Sequence, residues 1–409
     1  MGLSNLAAVA QTHSMNDSDA LLVEQGGSLK RISKKEFLSN AADGLALPTY
    51  TLEQSSSSTF DVIKKSMAVE IYRANMGGYG LKMKNGKAYK AKLNNDWSAF
   101  LDGTSAMDTS KFETMIELPP CHFKASGKTM QFGGMTPIDG GKTFGAPRFV
   151  GAYKMYVDAS GIGHSRADVA PSHSRSMSDF WNCAQKLGAQ WGLANYQFHC
   201  LINALYQVSY GNLNSQSVIG AGFQHSSWEK CRDVVMGKTR SLGDGSGSVL
   251  YNDADLGNQY PVKLFGFEDL WGKLWELRPG VRFYMDGDTR YAVVYDGNQV
   301  SNTANGRKFA YALTTANGEN ASKMQLGDNW DMLPIATGGG SSDNYCDGAW
   351  ASTGGQLLVV GGLAGYGSRC GVSYASSNYG FGYSWSAFSA RLAFYGEAEL
   401  VSGKELMTM

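Results

Sequence analysis

The chain has 409 residues, with 36 Lys+Arg balancing 36 Asp+Glu and a formal net charge of zero. That balance excludes a global field drawing nucleic acid or an acidic membrane surface, and the length allows about two to three domains with a sizeable core. The 51 glycines, 9 prolines and 21 tyrosines favour many turns and short strands over a helical bundle or a disordered linker.

Residues 1–45 open with an apolar block, Leu21, Leu22 and Val23, then Gly26-Gly27 as a hairpin turn and a second strand carrying Leu29 and Ile32. Ser33 with Glu36 forms a capping box that predicts a short helix through Phe37 and Leu38. So small an element has little core of its own, which marks it as an attachment arm docked on something else. No apolar stretch approaches the ~20 residues of a membrane span, so no membrane insertion is expected.

Residues 46–150 predict a small β-rich domain. A Gln-Ser run at 54–58 gives a flexible hinge. Tyr79, Leu81 and Met83 alternate up to Asn85-Gly86, a hairpin signal, and a second strand follows through Ala88 to Leu93. Further strands are expected at 115–118 and within 144–156, and Asp158 with Ser160-Gly161 marks a turn.

Helical periodicity begins after Ser178. A first helix is predicted over 179–187, with Ser178 as N-cap and Gly188 just past its end. A second covers 196–210, where Cys200, Leu201, Ala204, Leu205 and Val208 share one face. His199 has no partner at i±4 to complete a metal or catalytic pair and reads as structural. Residues 218–260 read as loop, and the run LGDGSGS at 242–248 lacks the closing Gly-Lys-Ser/Thr of a phosphate loop. The dense segment 264–277 embeds Glu268, Asp269 and Glu276. No nucleophile or metal partner accompanies these carboxylates, which favours a structural role over acid/base chemistry. Strands are expected at 283–295 and 309–313, and helices followed by a Gly-rich β-half give an α+β class.

The six cysteines (Cys121, Cys183, Cys200, Cys231, Cys346, Cys370) show no CxxC pair and no metal-ligand spacing. Free thiols are the favoured reading, with Cys346 and Cys370 the first pair to test for a disulfide. No cofactor and no metal are expected, and no carboxylate spacing matches a calcium loop.

The most distinctive stretch is 359–394. Between Ala364 and Ala390 it carries seven aromatics and one charge, Arg369, among glycine, serine and asparagine. Rigid aromatics give contact area at low entropic cost, while Ser, Gly and Asn add adaptable hydrogen bonds. The expected contact residues are Tyr366, Arg369, Tyr374, Asn378, Tyr379, Phe381, Tyr383 and Trp385, all taken as exposed. The bland alternative is a Gly/Ser-rich β-region with no partner.

The segments GFEDLWGKLWEL (266–277), GGSSDNYCDGAW (339–350) and VVGG with RCGVSY and ARLAF (359–394) together resemble the C-type-lectin-like domain of the formylglycine-generating-enzyme type. The likeness is to the form used by phage tail proteins and retroelement-diversified variable proteins. The N-terminal LLVEQGGSLKRISKKEF resembles the opening of tail proteins from phages of gut Bacteroidales. The resemblance implies a lectin-like receptor-binding domain at 151–397, a tail at 398–409, and the arm and small β-rich domain before them. It further implies a homotrimeric virion protein, made in the bacterial cytoplasm, that docks on other phage tail proteins through its arm and binds a bacterial surface receptor, protein or glycan. No nucleic-acid partner is implied. The enzymes of the family use two closely spaced cysteines and copper; Cys370 has no near neighbour, so that catalytic pair does not carry over. A structural tail or baseplate component is the main rival, and a formylglycine-generating-type oxidase a remote one. A bacterial surface adhesin would carry a secretion signal, which the N-terminus lacks.

Overall fold

The computed structural model describes four strands, Ala20–Gln25, Ser28–Ser33, Tyr50–Gln54 and Phe60–Lys64, and then residues 67–409 apart from 128, 341–344 and 346. The expected helix through Phe37 and Leu38, residues 55–58 of the expected hinge, and Cys346 lie outside the described residues. The first two strands pair antiparallel, Ala20 opposite Ser33.

The architecture is mixed α+β, with most regular structure in short strands. One seven-stranded sheet runs in the order Trp191–Leu193, Leu392–Phe394, Phe149–Gly151, Glu113–Glu117, Gly77–Lys84, Lys87–Lys92, Glu399–Leu400. It therefore joins strands from both sides of the expected division at residue 150. Phe149 pairs with Phe394 and Val150 with Ala393, so the strands Phe149–Gly151 and Leu392–Phe394 lie side by side. One large apolar cluster likewise spans Ala68 to Leu406. Asn85 and Gly86 both take positive φ, 50° and 76°, the two-residue turn that matches strand twist and holds Gly77–Lys84 against Lys87–Lys92.

A second seven-stranded sheet has the order Pro334–Gly339, Ala316–Met324, Gly348–Ala351, Ala375–Ser377, Leu358–Val360, Trp275–Arg278, Phe388–Ser389. A three-stranded sheet, Val281–Asp286, Thr289–Val294 and Arg307–Ala310, stands beside it. The single strand expected over 283–295 is thus a hairpin. Gly287, at φ 57°, turns the chain where Asp286-Gly287-Asp288 supplies turn chemistry.

Six α-helices occur among the described residues: α1 Ala68–Asn75, α2 Met177–Gln185, α3 Tyr196–Tyr210, α4 Ser215–Val218, α5 Trp228–Arg232 and α6 Gly403–Thr408. Helix α2 starts two residues before the expected position. Its N-cap is Ser176, whose hydroxyl accepts from Asp179 N while the Asp179 carboxylate accepts from Ser176 N, and this reciprocal box leaves Ser178 inside the helix. Helix α3 has the expected bounds, capped by the Asn195 side chain and ended by Gly211 in the left-handed region. It is buried nearly all round, as a core helix is. The region 218–260, expected as loop, contains α5 and three short strands.

Candidate binding face

Trp275 organises the site. It lies at the start of strand Trp275–Arg278, is 1% exposed, and has five rings around it. Centroid distances are 5.1 Å to Trp385, 5.5 Å to Tyr366, 5.7 Å to Tyr379, 6.0 Å to Phe388 and 6.4 Å to Tyr374. Such tilted and stacked contacts each add about 0.5–1.5 kcal/mol beyond area burial. The rings nearer the surface therefore rest on a rigid aromatic floor.

The eight expected contact residues divide. Tyr383 is exposed at 47%, while Tyr366, Arg369, Asn378, Tyr379, Phe381 and Trp385 are half-buried. Tyr374 is a correction: it is 0% exposed and stacks on Trp275 as part of the floor. Composition marks both classes of tyrosine alike; only packing separates them. Tyr383 stacks on Tyr379 at 5.2 Å and 21°. The Arg369 guanidinium lies 5.5 Å from the Tyr366 ring and donates to the Gly318 carbonyl at 3.3 Å, a cation–π arrangement.

The backbone that carries these rings is pinned from behind. The Tyr379 carbonyl accepts from Gln356 N and Leu357 N, and Phe381 N donates to Gln356 Oε1 at 3.0 Å. Ser352 Oγ donates to the Asn378 carbonyl at 3.1 Å. Tyr383 N donates to Gly380 O, closing a turn, and the Trp385 carbonyl accepts from Ser174 N. Burial, with Tyr366 and Tyr383 beside it, pushes the Tyr379 phenol well above its ordinary range. Side chains project from a main chain held by these hydrogen bonds.

Two rings of the face were not among the expected residues. Trp350 stacks on Tyr366 at 5.6 Å and 21°, and Trp228 meets Trp385 edge-to-face at 6.1 Å. Both are half-buried. Trp228 follows His225-Ser226-Ser227, and a lone tryptophan in so polar a run is the signal that could have flagged it.

Two of the three embedded carboxylates, Glu276 and Glu268, are hydrogen-bonded into the scaffold, and Asp269 makes only an ion pair. Glu276 is bonded to Lys154 Nζ at 2.7 Å, to Arg278 Nη2 at 2.6 Å and to the Arg391 guanidinium, every partner buried. These cations outweigh burial and keep its carboxyl well below the usual range, against a desolvation effect that is the largest single influence and acts upward. Glu268 accepts from Gly237 N, Thr239 N and Thr239 Oγ1. Asp269 lies 3.6 Å from Lys273 Nζ, and burial pushes it up to about 7. His199 is buried and pushed down to about 3 by desolvation and then by Arg278.

Five cysteines (Cys121, Cys183, Cys200, Cys231, Cys370) are buried free thiols. Cys370 Sγ donates to Leu363 O at 3.0 Å, and burial pushes its thiol well up. Among the described residues, no group of three or more His, Cys, Asp and Glu is placed to hold a metal ion, and no helix is long and apolar enough to cross a membrane. The sequence matches no protein-family model and no curated protein.

Proposed function

We propose that this chain is a phage tail adhesin whose residues 151–397 form a C-type-lectin-like domain that grips a receptor on the bacterial host surface. The observation that carries the reading is the layered aromatic face. Tyr383, Tyr379, Phe381, Trp385 and Tyr366 stand at or near the surface on a buried floor of Trp275, Tyr374 and Phe388, with Arg369 at the edge. Rings with little rotamer freedom, on a backbone tied by hydrogen bonds, lose little entropy when a partner docks. The side-by-side pairing of Phe149–Gly151 with Leu392–Phe394 supports the lectin-like unit, since a loop-rich middle then begins and ends at one place.

The N-terminal arm attaches the protein to other tail components, and the particle carries it as a homotrimer. Repeated copies let a weak individual site hold firmly, because a second contact becomes intramolecular and avidity rises by roughly 10² to 10⁴. The Tyr/Ser/Gly/Asn alternation over 364–390 is what retroelement diversification of asparagine codons yields. A buried, protonated Cys370 suits this binding role and argues against formylglycine-generating chemistry.

The test replaces Tyr379, Phe381 and Tyr383 together by alanine and measures adsorption to a panel of Bacteroidales strains. The folded variant should lose adsorption to any strain that the unaltered protein binds. Unchanged adsorption overturns the reading in favour of a structural tail or baseplate component. Protease-treated and periodate-treated cells in parallel separate a protein receptor from a glycan.

A further inference from the structure

We infer that Trp228 is a receptor-contact residue of the same face, a scaffold-borne anchor outside the aromatic-rich window; the inference rests on the receptor-binding reading. Trp228 opens helix α5 and is half-buried. Its ring meets Trp385 edge-to-face at 6.1 Å, and Trp385 in turn lies 5.1 Å from Trp275, so the ring continues the face.

Two further contacts join α5 and its approach to the window. His225 N donates to the Ala364 carbonyl at 3.2 Å, tying the approach to α5 to the turn Ala364–Arg369 that carries Tyr366 and Arg369. Gly365 lies directly against the tryptophan: a β-carbon there would meet Trp228 Cβ and Cδ1 at 3.7 Å. With no side chain at 365, that flank of the ring is left open. Behind Trp228, a small cluster of Phe223, Cys231, Leu256 and Ala364 anchors the helix independently of the loop 378–385.

The charge beside the ring is already neutralised. Arg232, 5.9 Å from the Trp228 ring, forms a two-pronged pair with Asp233, both bonds 2.7 Å. Beside the Trp228 ring a partner therefore meets a compensated ion pair, with the exposed Glu229 and Lys230 next along the helix. Tryptophan in such a half-buried, ring-backed position belongs to the residue class that dominates binding energy at interfaces.

The experiment compares Trp228→Ala and Trp228→Leu with the triple alanine variant of Tyr379, Phe381 and Tyr383. Each is checked by thermal unfolding and assayed for adsorption to a strain bound by the unaltered protein. Both Trp228 variants should weaken adsorption about tenfold or more. Leucine fills the inner side of the site, so it decides the matter if alanine fails to fold. Unaltered adsorption by a folded Trp228→Leu, with loss in the triple variant, overturns the role of Trp228 and leaves the face intact. Full adsorption by the triple variant overturns the face reading itself.

Discussion

The Arg290 guanidinium reaches from the strand Thr289–Val294 to the segment behind the candidate face, donating to the Ser377 carbonyl at 2.8 Å. The same side chain bonds Ser377 Oγ, Gly355 O and Leu313 O, and lies 5.0 Å from the Phe283 ring and 5.2 Å from that of Tyr311. One buried fork thus ties Ser377, the residue before Asn378, to Gly355 and Leu313.

Arg290→Met should cost roughly 2–4 kcal/mol of stability, because several buried carbonyls lose their donor. Arg290→Lys should recover only part of this, since an ammonium cannot make the planar fork. Urea unfolding of the three proteins measures both effects. Equal stability of Arg290→Met and the unaltered protein would remove Arg290 as the support of this loop.

Floor and surface tyrosines should separate by stability alone. Tyr374→Ala empties a fully buried, ring-lined site and should cost about 3–5 kcal/mol. Tyr383→Ala, at a position 47% exposed, should stay within about 0.5 kcal/mol of the unaltered protein. Midpoints in the same urea series give the comparison.

Glu276→Gln leaves Lys154, Arg278 and Arg391 buried without their shared carboxylate, and should destabilise by about 3–5 kcal/mol. The pH dependence follows from the depressed carboxyl. Its folded pKa lies below the ordinary value of 4.5, so its stabilising contribution is full above that value and is lost as pH falls toward the folded pKa. The variant should show a shallower acid limb in stability measured between pH 2 and pH 6.

Two other buried groups act with signs opposite to one another. Asp269 is raised to about 7 from 3.8 by burial, so its contribution is full below 3.8 and is lost as pH rises to about 7. Lys263 is lowered to about 7 from 10.5 by burial, with Nζ 3.7 Å over the Trp97 ring. The unfolded chain holds that proton up to 10.5, so stability grows from about pH 7 upward, at most about 1.4 kcal/mol per pH unit. Asp269→Asn should remove the fall below neutrality and Lys263→Met the rise above it, both read from chemical denaturation across pH 4–10.

Local rules carried much of the fold. Helix α3 and the Asn85-Gly86 hairpin stand where periodicity and turn chemistry predict them, because each is fixed by neighbours within a few residues. The α2 cap moved to Ser176 because two serines compete there, and only Ser176 takes the extended backbone that lets it trade bonds with Asp179. The seven-stranded sheet crossing residue 150 was not legible, since pairing Phe149 with Phe394 depends on closure over some 240 intervening residues. Within the face, composition identified the aromatic stretch but not its layering. Tyr374 and Tyr383 are nine positions apart in similar text, but Tyr374 packs on Trp275, about a hundred positions upstream, while Tyr383 rests on Tyr379 and Phe388. Trp228 and Trp350 join the face through the same long-range packing.

Radical footprinting tests the central claim most directly: oxidation of Tyr383 and Trp385 is compared in the free protein and in the protein bound to cells of a strain it adsorbs. Both residues should be modified when free and protected on the cell surface, while Tyr374 stays unreactive throughout. Equal modification of Tyr383 and Trp385 in the free and cell-bound protein would contradict recognition through this face.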